Sequence, residues 1–234
     1  EVMGRHAGWI AAAAGLAGET PSDAPHVILF PETPFDEPAF LSRVKHSVDK
    51  HDYCVVVVSE GVQHPDGRFL ADAGTKDAFG HSQLGGVAVT IAEIIKSHLG
   101  YKYHYAIADY LQRSARHIAS AVDVEQAYAV GKHAVELAVS GHNAVMPTIV
   151  RESDKPYRWS IGHVELSRVA NREKKMPRSF ISRDGFAITP TGRRYLKPLI
   201  AGEDYPPYKD GLPCYVTPKN KAVPKRLKEP FVLR

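Results

Sequence analysis

Cysteine is scarce in this 234-residue sequence, which contains only Cys54 and Cys214. The two lie far apart along the chain, and neither belongs to a CxxC pair. A disulfide-dense scaffold and a cysteine-based zinc site are therefore excluded. We infer a reducing, cytoplasmic environment in which both thiols stay free.

The sequence also lacks a dominant charge and a long apolar run. Its 30 Lys and Arg residues stand against 26 Asp and Glu residues, which gives a formal net charge of +4. This near balance does not favour a nucleic-acid partner. No apolar run approaches the about 20 residues that a membrane-spanning helix requires. We predict a soluble globular protein with neither a nucleic-acid nor a membrane partner.

Several common functional motifs are missing as well. The 12 histidines form no HExxH pair, and the sequence contains neither a Walker loop nor a GxGxxG motif. We therefore predict no metal site formed by this chain alone. The chain starts at Glu1 without an initiator methionine or a signal segment, so we expect it to be part of a longer protein.

Apolar periodicity alternates between helix-like and strand-like along the first 150 residues. Helices are predicted at residues 6–17, 37–50, 86–99 and 123–139, and strands at residues 26–30, 53–59, 103–108 and 144–150. Helices that separate strands imply right-handed βαβ crossovers. The predicted fold class is α/β, with a layered, mainly parallel sheet and flanking helices.

The pattern weakens outside this alternation. Residues 61–85 lose periodicity and collect Gly, Asp, His and Lys, which predicts a long functional loop. Beyond residue 150 we predict a strand at residues 158–166 and short helices at residues 167–175 and 191–199. The proline-rich, basic segment 205–234 is typical of an extended tail.

The first candidate site lies at the start of the chain, where Met3, Gly4 and Arg5 precede an alanine-rich helix. Gly4 permits a close backbone approach, and an arginine fork can bind a phosphate in bidentate fashion. Free N–H groups at a helix start also favour an anion. These residues indicate a phosphate or sugar-phosphate site. The alternative is an ordinary surface arginine beside glycines that serve only packing.

Two further candidates follow predicted strands. Glu60 comes directly after a valine run, where the carboxyl end of a parallel strand faces a ligand cleft. Its carboxylate either accepts hydrogen bonds from sugar hydroxyls or simply returns the chain to solvent. Tyr110 and Arg113 follow the strand predicted at residues 103–108, and their hydroxyl and guanidinium groups suit a phosphate. A basic helix start with a half-buried tyrosine explains them equally well.

The order of these motifs resembles the second half of the phosphofructokinase family. The Met-Gly-Arg motif at residues 3–5, the proline–glutamate strand end at residues 31–32 and the glutamate at residue 60 occur in that family's order. Tyr-Leu-Gln-Arg at residues 110–113 is similar to the family's motif for the 6-phosphate. The resemblance covers about residues 1–150 and implies a phosphofructokinase-like fold whose upstream half is missing from this chain.

The resemblance also implies a set of substrate-binding residues. They are Met3, Gly4, Arg5, Glu60, Tyr110 and Arg113. The first three are implied to bind fructose 6-phosphate, the glutamate its hydroxyls, and the last two its phosphate. A tyrosine at residue 110, where ATP-dependent bacterial members have histidine, is more similar to the pyrophosphate-dependent branch. The insertion at residues 61–85 and the long C-terminus point to the same branch.

The family's catalytic and magnesium-binding motifs, Thr-Ile-Asp and Gly-Gly-Asp, do not occur in this sequence. The resemblance therefore implies the acceptor-binding half of a 6-phosphofructokinase of glycolysis, with no catalytic residue in this chain. Mg²⁺ is expected to be bound mainly by the missing upstream half. The implied partners are fructose 6-phosphate and pyrophosphate, with ATP as the second choice of donor, and a second copy of the enzyme in a homo-oligomer.

We expect three units along the chain. Residues 1–110 are predicted to form most of a sugar-phosphate-binding domain, and residues 111–150 a helix and strand that return to the donor-binding domain. Residues 151–234 are predicted to be a C-terminal extension. The alternative function is a non-catalytic sugar-phosphate-binding module or regulatory subunit, which the same binding residues would serve.

Overall fold

The structure, a computed structural model, describes residues 1–20, 22–76, 82–84 and 86–224. The helices within these ranges are α1 (Trp9–Ala14), α2 (Glu37–His51), α3 (Val87–Leu99), α4 (Leu111–Ser114), α5 (Ala121–Val139), α6 (Leu166–Val169) and α7 (Pro190–Leu196). The strands are β1 (Val27–Leu29), β2 (Val56–Val58), β3 (Asp72–Lys76), β4 (Ser82–Leu84), β5 (Val145–Asp154), β6 (Tyr157–Glu165), β7 (Tyr208–Lys209) and β8 (Leu212–Pro213).

Strands β1 and β2 form a parallel pair at the centre of the fold. Val2 extends this pairing, because its N–H donates to the carbonyl oxygen of Val58 at 2.9 Å and its own carbonyl accepts from the N–H of Glu60 at 2.9 Å. The start of the chain therefore lies beside β2. As a result, residues 3–5 emerge at the carboxyl end of the parallel pair.

The side chains of β1 alternate between two apolar cores, because successive strand residues point to opposite faces. Val27 and Leu29 pack with α2 and α3 on one face. Ile28 and Phe30 pack with α1, α7 and Met176 on the other. This is the predicted layered α/β arrangement. Within the described ranges, parallel pairing involves β1, β2 and Val2, and the other paired strands form antiparallel hairpins.

Helix α2 shows how the local sequence defines an element. The carboxylate of Asp36 accepts a hydrogen bond from the N–H of Ala39 at 3.0 Å, as expected of an N-cap. Phe40 and Val44 recur at helical spacing and are buried against the sheet. The helix predicted at residues 37–50 is therefore confirmed, with one additional residue at its end.

The strand predicted at residues 103–108 is wrong, because the structure assigns no strand to this segment. The amino group of Glu1 donates to the carbonyl of Ala106 at 2.8 Å, and the carbonyl of Glu1 accepts from the N–H of Ala108 at 3.3 Å. Pairing with one residue does not make a ladder. The apolar side chains that suggested a strand, those of Tyr105 and Ile107, are exposed.

The predicted loop at residues 61–85 contains a hairpin. Strands β3 and β4 pair in antiparallel fashion, and a bridge joins Gln63 to Phe69 ahead of them. These strands are rich in polar residues and glycine, so no apolar alternation predicted them. Residues 77–81 and 85 of the predicted loop lie outside the described residues.

Strands β5 and β6 form a long antiparallel hairpin beside α5. The strands predicted at residues 144–150 and 158–166 are confirmed, but the first continues to Asp154. The expected domain boundary at residue 150 therefore falls within β5. The helix predicted at residues 167–175 is only the short α6, and the one predicted at residues 191–199 is α7 with a following 3₁₀ turn.

Residues 205–224 are extended apart from the small hairpin of β7 and β8. Residues 225–234 of the predicted tail lie outside the described part of the chain. Across the described ranges, no helix combines the length and apolar character needed to cross a membrane.

His26, directly before β1, gives the fold a sensitivity to acid. The residue is only 7% exposed, and its Nδ1 accepts a hydrogen bond from the N–H of Val55 at 3.0 Å, which favours the neutral ring. Burial lowers the pKa of His26 below its ordinary value, and the neighbouring His51 lowers it further. The unfolded chain therefore takes up this proton more readily than the folded chain.

We expect folding stability to fall as the pH drops below about 6.5, the pKa of an unperturbed histidine. In His26→Asn, the decrease in thermal midpoint between about pH 7 and about pH 5 should be smaller than in the wild type. His46→Asn on the exposed side of α2 is the matched control and should keep the wild-type pH dependence. Equal pH dependence in the two variants would contradict the assignment to His26.

Candidate functional site

The candidate site is built around Gly4, which is held from two sides by the end of β2. The carboxylate Oε1 of Glu60 accepts a hydrogen bond from the N–H of Gly4 at 3.0 Å. The hydroxyl of Ser59 donates to the carbonyl of Gly4 at 2.7 Å. Gly4 has a φ of +144°, and a Cβ there would lie 2.5 Å from Ser59 Oγ, so only glycine fits without rearrangement.

Gly61 is a second residue that the site requires, and nothing in the sequence pattern singles it out. A Cβ on Gly61 would lie 1.7 Å from the carbonyl oxygen of Arg5 and 2.3 Å from its carbonyl carbon. The two backbone segments therefore touch directly. This contact seats the backbone of Arg5 against the turn that follows β2.

Helix α4 closes the other side of residues 3–5. The side-chain oxygen of Gln112 accepts a hydrogen bond from the N–H of Met3 at 3.0 Å. Arg113 donates from Nε to the thioether sulfur of Met3 at 3.2 Å, and its guanidinium lies 5.4 Å from the centre of the Tyr110 ring. Tyr110 itself is 66% exposed. Gln112 belongs to the motif at residues 110–113 but is not among the predicted binding residues. Its contact with Met3 joins segments more than 100 residues apart, which the sequence pattern does not reveal.

The structure connects the predicted site residues through these contacts. Glu60 meets Gly4, and Arg113 joins Met3 to Tyr110. Arg5 is the next residue of the same loop and is half-buried. Neither Arg5 nor Arg113 forms an ion pair with a carboxylate of the described residues. Two cations without a carboxylate partner among the described residues, together with an exposed phenol, favour an anionic ligand.

The predicted anion site at the start of the first helix is wrong in one respect. Helix α1 begins at Trp9 rather than at residue 6, and its N-cap is Gly8. The N–H of Gly8 donates to both carboxylate oxygens of Glu32, at 3.0 and 3.1 Å. The carboxylate of Glu32 therefore occupies the place expected for a ligand anion. Of the features at the start of the chain that predicted phosphate binding, the guanidinium of Arg5 remains available.

A groove of about 1080 Å³ opens beside Gln112 and Arg113. Its walls come from Trp9 of α1, the start of α5, and the segment from Tyr195 to Tyr205. This volume is near the upper end of the range for small-molecule sites. Arg113 lines this groove, whereas the other predicted site residues, Met3, Gly4, Arg5, Glu60 and Tyr110, do not.

The described residues contain no cluster of three or more His, Cys, Asp or Glu side chains arranged to hold a metal ion.

Comparison with known proteins extends the sequence resemblance. Residues 1–138 match the family described as Phosphofructokinase. The chain is 64% identical over 231 residues to the pyrophosphate–fructose 6-phosphate 1-phosphotransferase of Methylococcus capsulatus, covering 99% of this chain and 55% of that protein. The protein of the same name from Halomonas elongata is 60% identical over 229 residues, covering 98% and 55%.

Solved structures agree with these matches. The pyrophosphate-dependent phosphofructokinase from Marinobacter aquaeolei superposes with a TM-score of 0.84 at 56% sequence identity, covering 99% of this chain and 55% of that one. The predicted phosphofructokinase-like α/β fold is therefore confirmed. The chain spans about half the length of the curated relatives it matches. On the strength of the family match, the relatives and the shared fold, this chain belongs to the phosphofructokinase family.

Proposed function

We propose that this chain is the acceptor-binding half of an enzyme that transfers a phosphoryl group from pyrophosphate to the 1-hydroxyl of fructose 6-phosphate. One observation carries the proposal: Arg5 and Arg113, without carboxylate partners among the described residues, flank the Gly4–Glu60 contact at the carboxyl end of the parallel strands. The names of the relatives supply the reaction. The same names disfavour a non-catalytic module.

Each site residue has a distinct task in this proposal. Arg5 and Arg113 bind phosphate oxygens, and the hydroxyl of Tyr110 supplies a further donor. Glu60 uses Oε1 to hold Gly4, and its remaining acceptor capacity is directed to sugar hydroxyls. Met3 and Gly4 shape the floor on which the sugar lies. These residues bind and orient the acceptor.

Transfer breaks the bond between the bridging oxygen and one phosphorus of pyrophosphate and forms a bond between that phosphorus and O1 of the sugar. Orthophosphate, which keeps the bridging oxygen, leaves, and the hydroxyl proton passes to a base. We assign the base to the half of the relatives that this chain does not span. When bound, Mg²⁺ would neutralise charge on the donor phosphates, and we assign its ligands to the same half. The residues of this chain present O1 in the correct orientation.

We further propose a cytoplasmic, homo-oligomeric enzyme of glycolysis. Cys54 and Cys214 are both free in the structure, which suits a reducing compartment. Tyr128, Val135 and Val139 are exposed along α5 and leave an apolar face available for burial in the complete assembly.

The full-length protein tests the proposal directly. With fructose 6-phosphate present, pyrophosphate should support formation of fructose 1,6-bisphosphate with a kcat/KM at least about 100-fold above that for ATP, because a site built for one donor rejects another. A coupled assay with each donor measures both values. Turnover with ATP alone would reject the proposed donor, and calorimetric binding of fructose 6-phosphate without turnover would reject the enzyme in favour of a binding module.

A further inference from the structure

A short segment from the C-terminal part of the chain lies against residues 3–8, which we call the sugar-phosphate loop. We call residues 173–176 the strap. The carboxylate of Glu173 pairs with Nδ1 of His6, the residue next to Arg5. The carbonyl of Lys174 accepts a hydrogen bond from Nε1 of Trp9 at 2.8 Å. The strap therefore contacts one side chain of the loop, that of His6, and the side chain of Trp9 at the start of α1.

Glu32 makes the third connection, through a single carboxylate. Its Oε1 accepts hydrogen bonds from the N–H of Gly8 at 3.0 Å and from the N–H of Met176 at 3.0 Å. Gly8 ends the sugar-phosphate loop, and Met176 ends the strap. One acceptor oxygen thus joins two segments that are more than 160 residues apart in the sequence.

The strap is itself firmly anchored. Met176 is 3% exposed and packs in the core beside Phe30. Trp9 packs against the rings of Phe180 and Tyr195, with centroid distances of 6.1 and 5.7 Å. A segment fixed in the core at one end can hold a surface loop in place at the other.

We propose that the strap is a positioning element for Arg5, an inference that rests on the proposed function. Ser59, Glu60 and Gly61 hold the loop on the side of β2. The strap and Glu32 hold it at His6 and Gly8, so Arg5 lies between two fixed points of the loop. Its guanidinium can then meet the substrate phosphate without the loop first becoming ordered.

Glu173 is suited to test this role without disturbing the fold. The side chains of His6 and Glu173 are 36% and 49% exposed, and exposed pairs of polar side chains contribute little to folding stability. Loss of the pair should therefore loosen the loop more than it destabilises the protein. The KM for fructose 6-phosphate should therefore change, and the KM for pyrophosphate should not.

The decisive variant is Glu173→Gln in the full-length enzyme. We expect the KM for fructose 6-phosphate to rise by about 5- to 10-fold, with kcat within about twofold, because the loop contacts the acceptor phosphate. The KM for pyrophosphate and the thermal midpoint should remain at the wild-type values. Glu165→Gln, which alters an exposed glutamate at the end of β6, is the matched control and should leave all four quantities unchanged.

A second measurement concerns the loop itself. Hydrogen exchange in the peptide covering residues 3–9 should be faster in Glu173→Gln and fastest in Glu32→Ala, which removes the acceptor of Gly8 and Met176. Glu32→Gln keeps an acceptor oxygen and should restore much of the protection. This measurement needs no substrate.

The outcomes separate the two proposals. An unchanged KM for fructose 6-phosphate in Glu173→Gln, or unchanged exchange in residues 3–9, would overturn the positioning role. A lower thermal midpoint with a normal KM would likewise overturn it, because the contact between His6 and Glu173 would then serve only folding stability. A wild-type enzyme without turnover would overturn the proposed function, and the exchange rates would then still decide whether the strap orders the loop.

Discussion

Replacing Gly61 with alanine is expected to lower kcat/KM for fructose 6-phosphate by about 100-fold or more in the full-length enzyme. The new Cβ would lie 1.7 Å from the carbonyl oxygen of Arg5, so one of the two backbone segments must move. A shift of about 1 Å in a binding loop is enough for a loss of this size. Overpacking should also reduce the free energy of unfolding by about 1–3 kcal/mol. Steady-state kinetics and thermal unfolding measure the two effects.

Gly67→Ala is the matched control from the same stretch of chain. Gly67 has a φ of +85°, but a Cβ on this residue would have no described atom within 4 Å, so alanine there costs backbone strain without a clash. The strain should lower stability by about 1–2 kcal/mol while activity stays normal. Equal activities in the two variants would show that the contact between Gly61 and Arg5 has no functional weight.

The layers of the fold could be predicted because they depend on local patterns. The valine run that ends in β2 and the N-cap at Asp36 each identify an element within a few residues. The prediction of a strand at residues 103–108 was wrong for a non-local reason. Apolar alternation there matches a strand, but a strand also needs a neighbouring ladder, and the segment pairs only with Glu1 among the described residues.

The site residues likewise differ in whether their role depends on local sequence or on contacts with distant segments. Glu60 and Arg113 could be proposed from residue type and from their places at segment ends, because charge and hydrogen-bonding capacity can be read from the sequence. Gly61 could not, and Glu32 could be noted only as part of the proline–glutamate motif without a role. Their importance comes from contacts with Arg5 and with Gly8 and Met176. Such contacts depend on how distant segments meet.

Arg113→Ala should produce the second large effect, a rise of about 30- to 150-fold in the KM for fructose 6-phosphate. A charge-assisted bond from a guanidinium to a phosphate contributes about 2–3 kcal/mol, which corresponds to that ratio. Because the side chain is exposed and has no carboxylate partner among the described residues, its removal should leave the thermal midpoint nearly unchanged. Arg113→Lys keeps the charge without the planar fork, so its KM for fructose 6-phosphate should lie between the values of the wild type and Arg113→Ala.

Arg116→Ala provides the control, since Arg116 lies three residues further along and is already paired. Its Nη2 is 2.8 Å from Oδ1 of Asp204, and its Nη1 donates to the backbone carbonyl of the same residue. Its loss should cost about 1 kcal/mol of stability, with the KM for fructose 6-phosphate within about threefold of the wild type. The two arginines thus differ in whether their charge is already satisfied within the protein. If Arg116→Ala raised the KM as much as Arg113→Ala, general loss of positive charge would explain both results, and Arg113 would lose its assignment to the substrate phosphate.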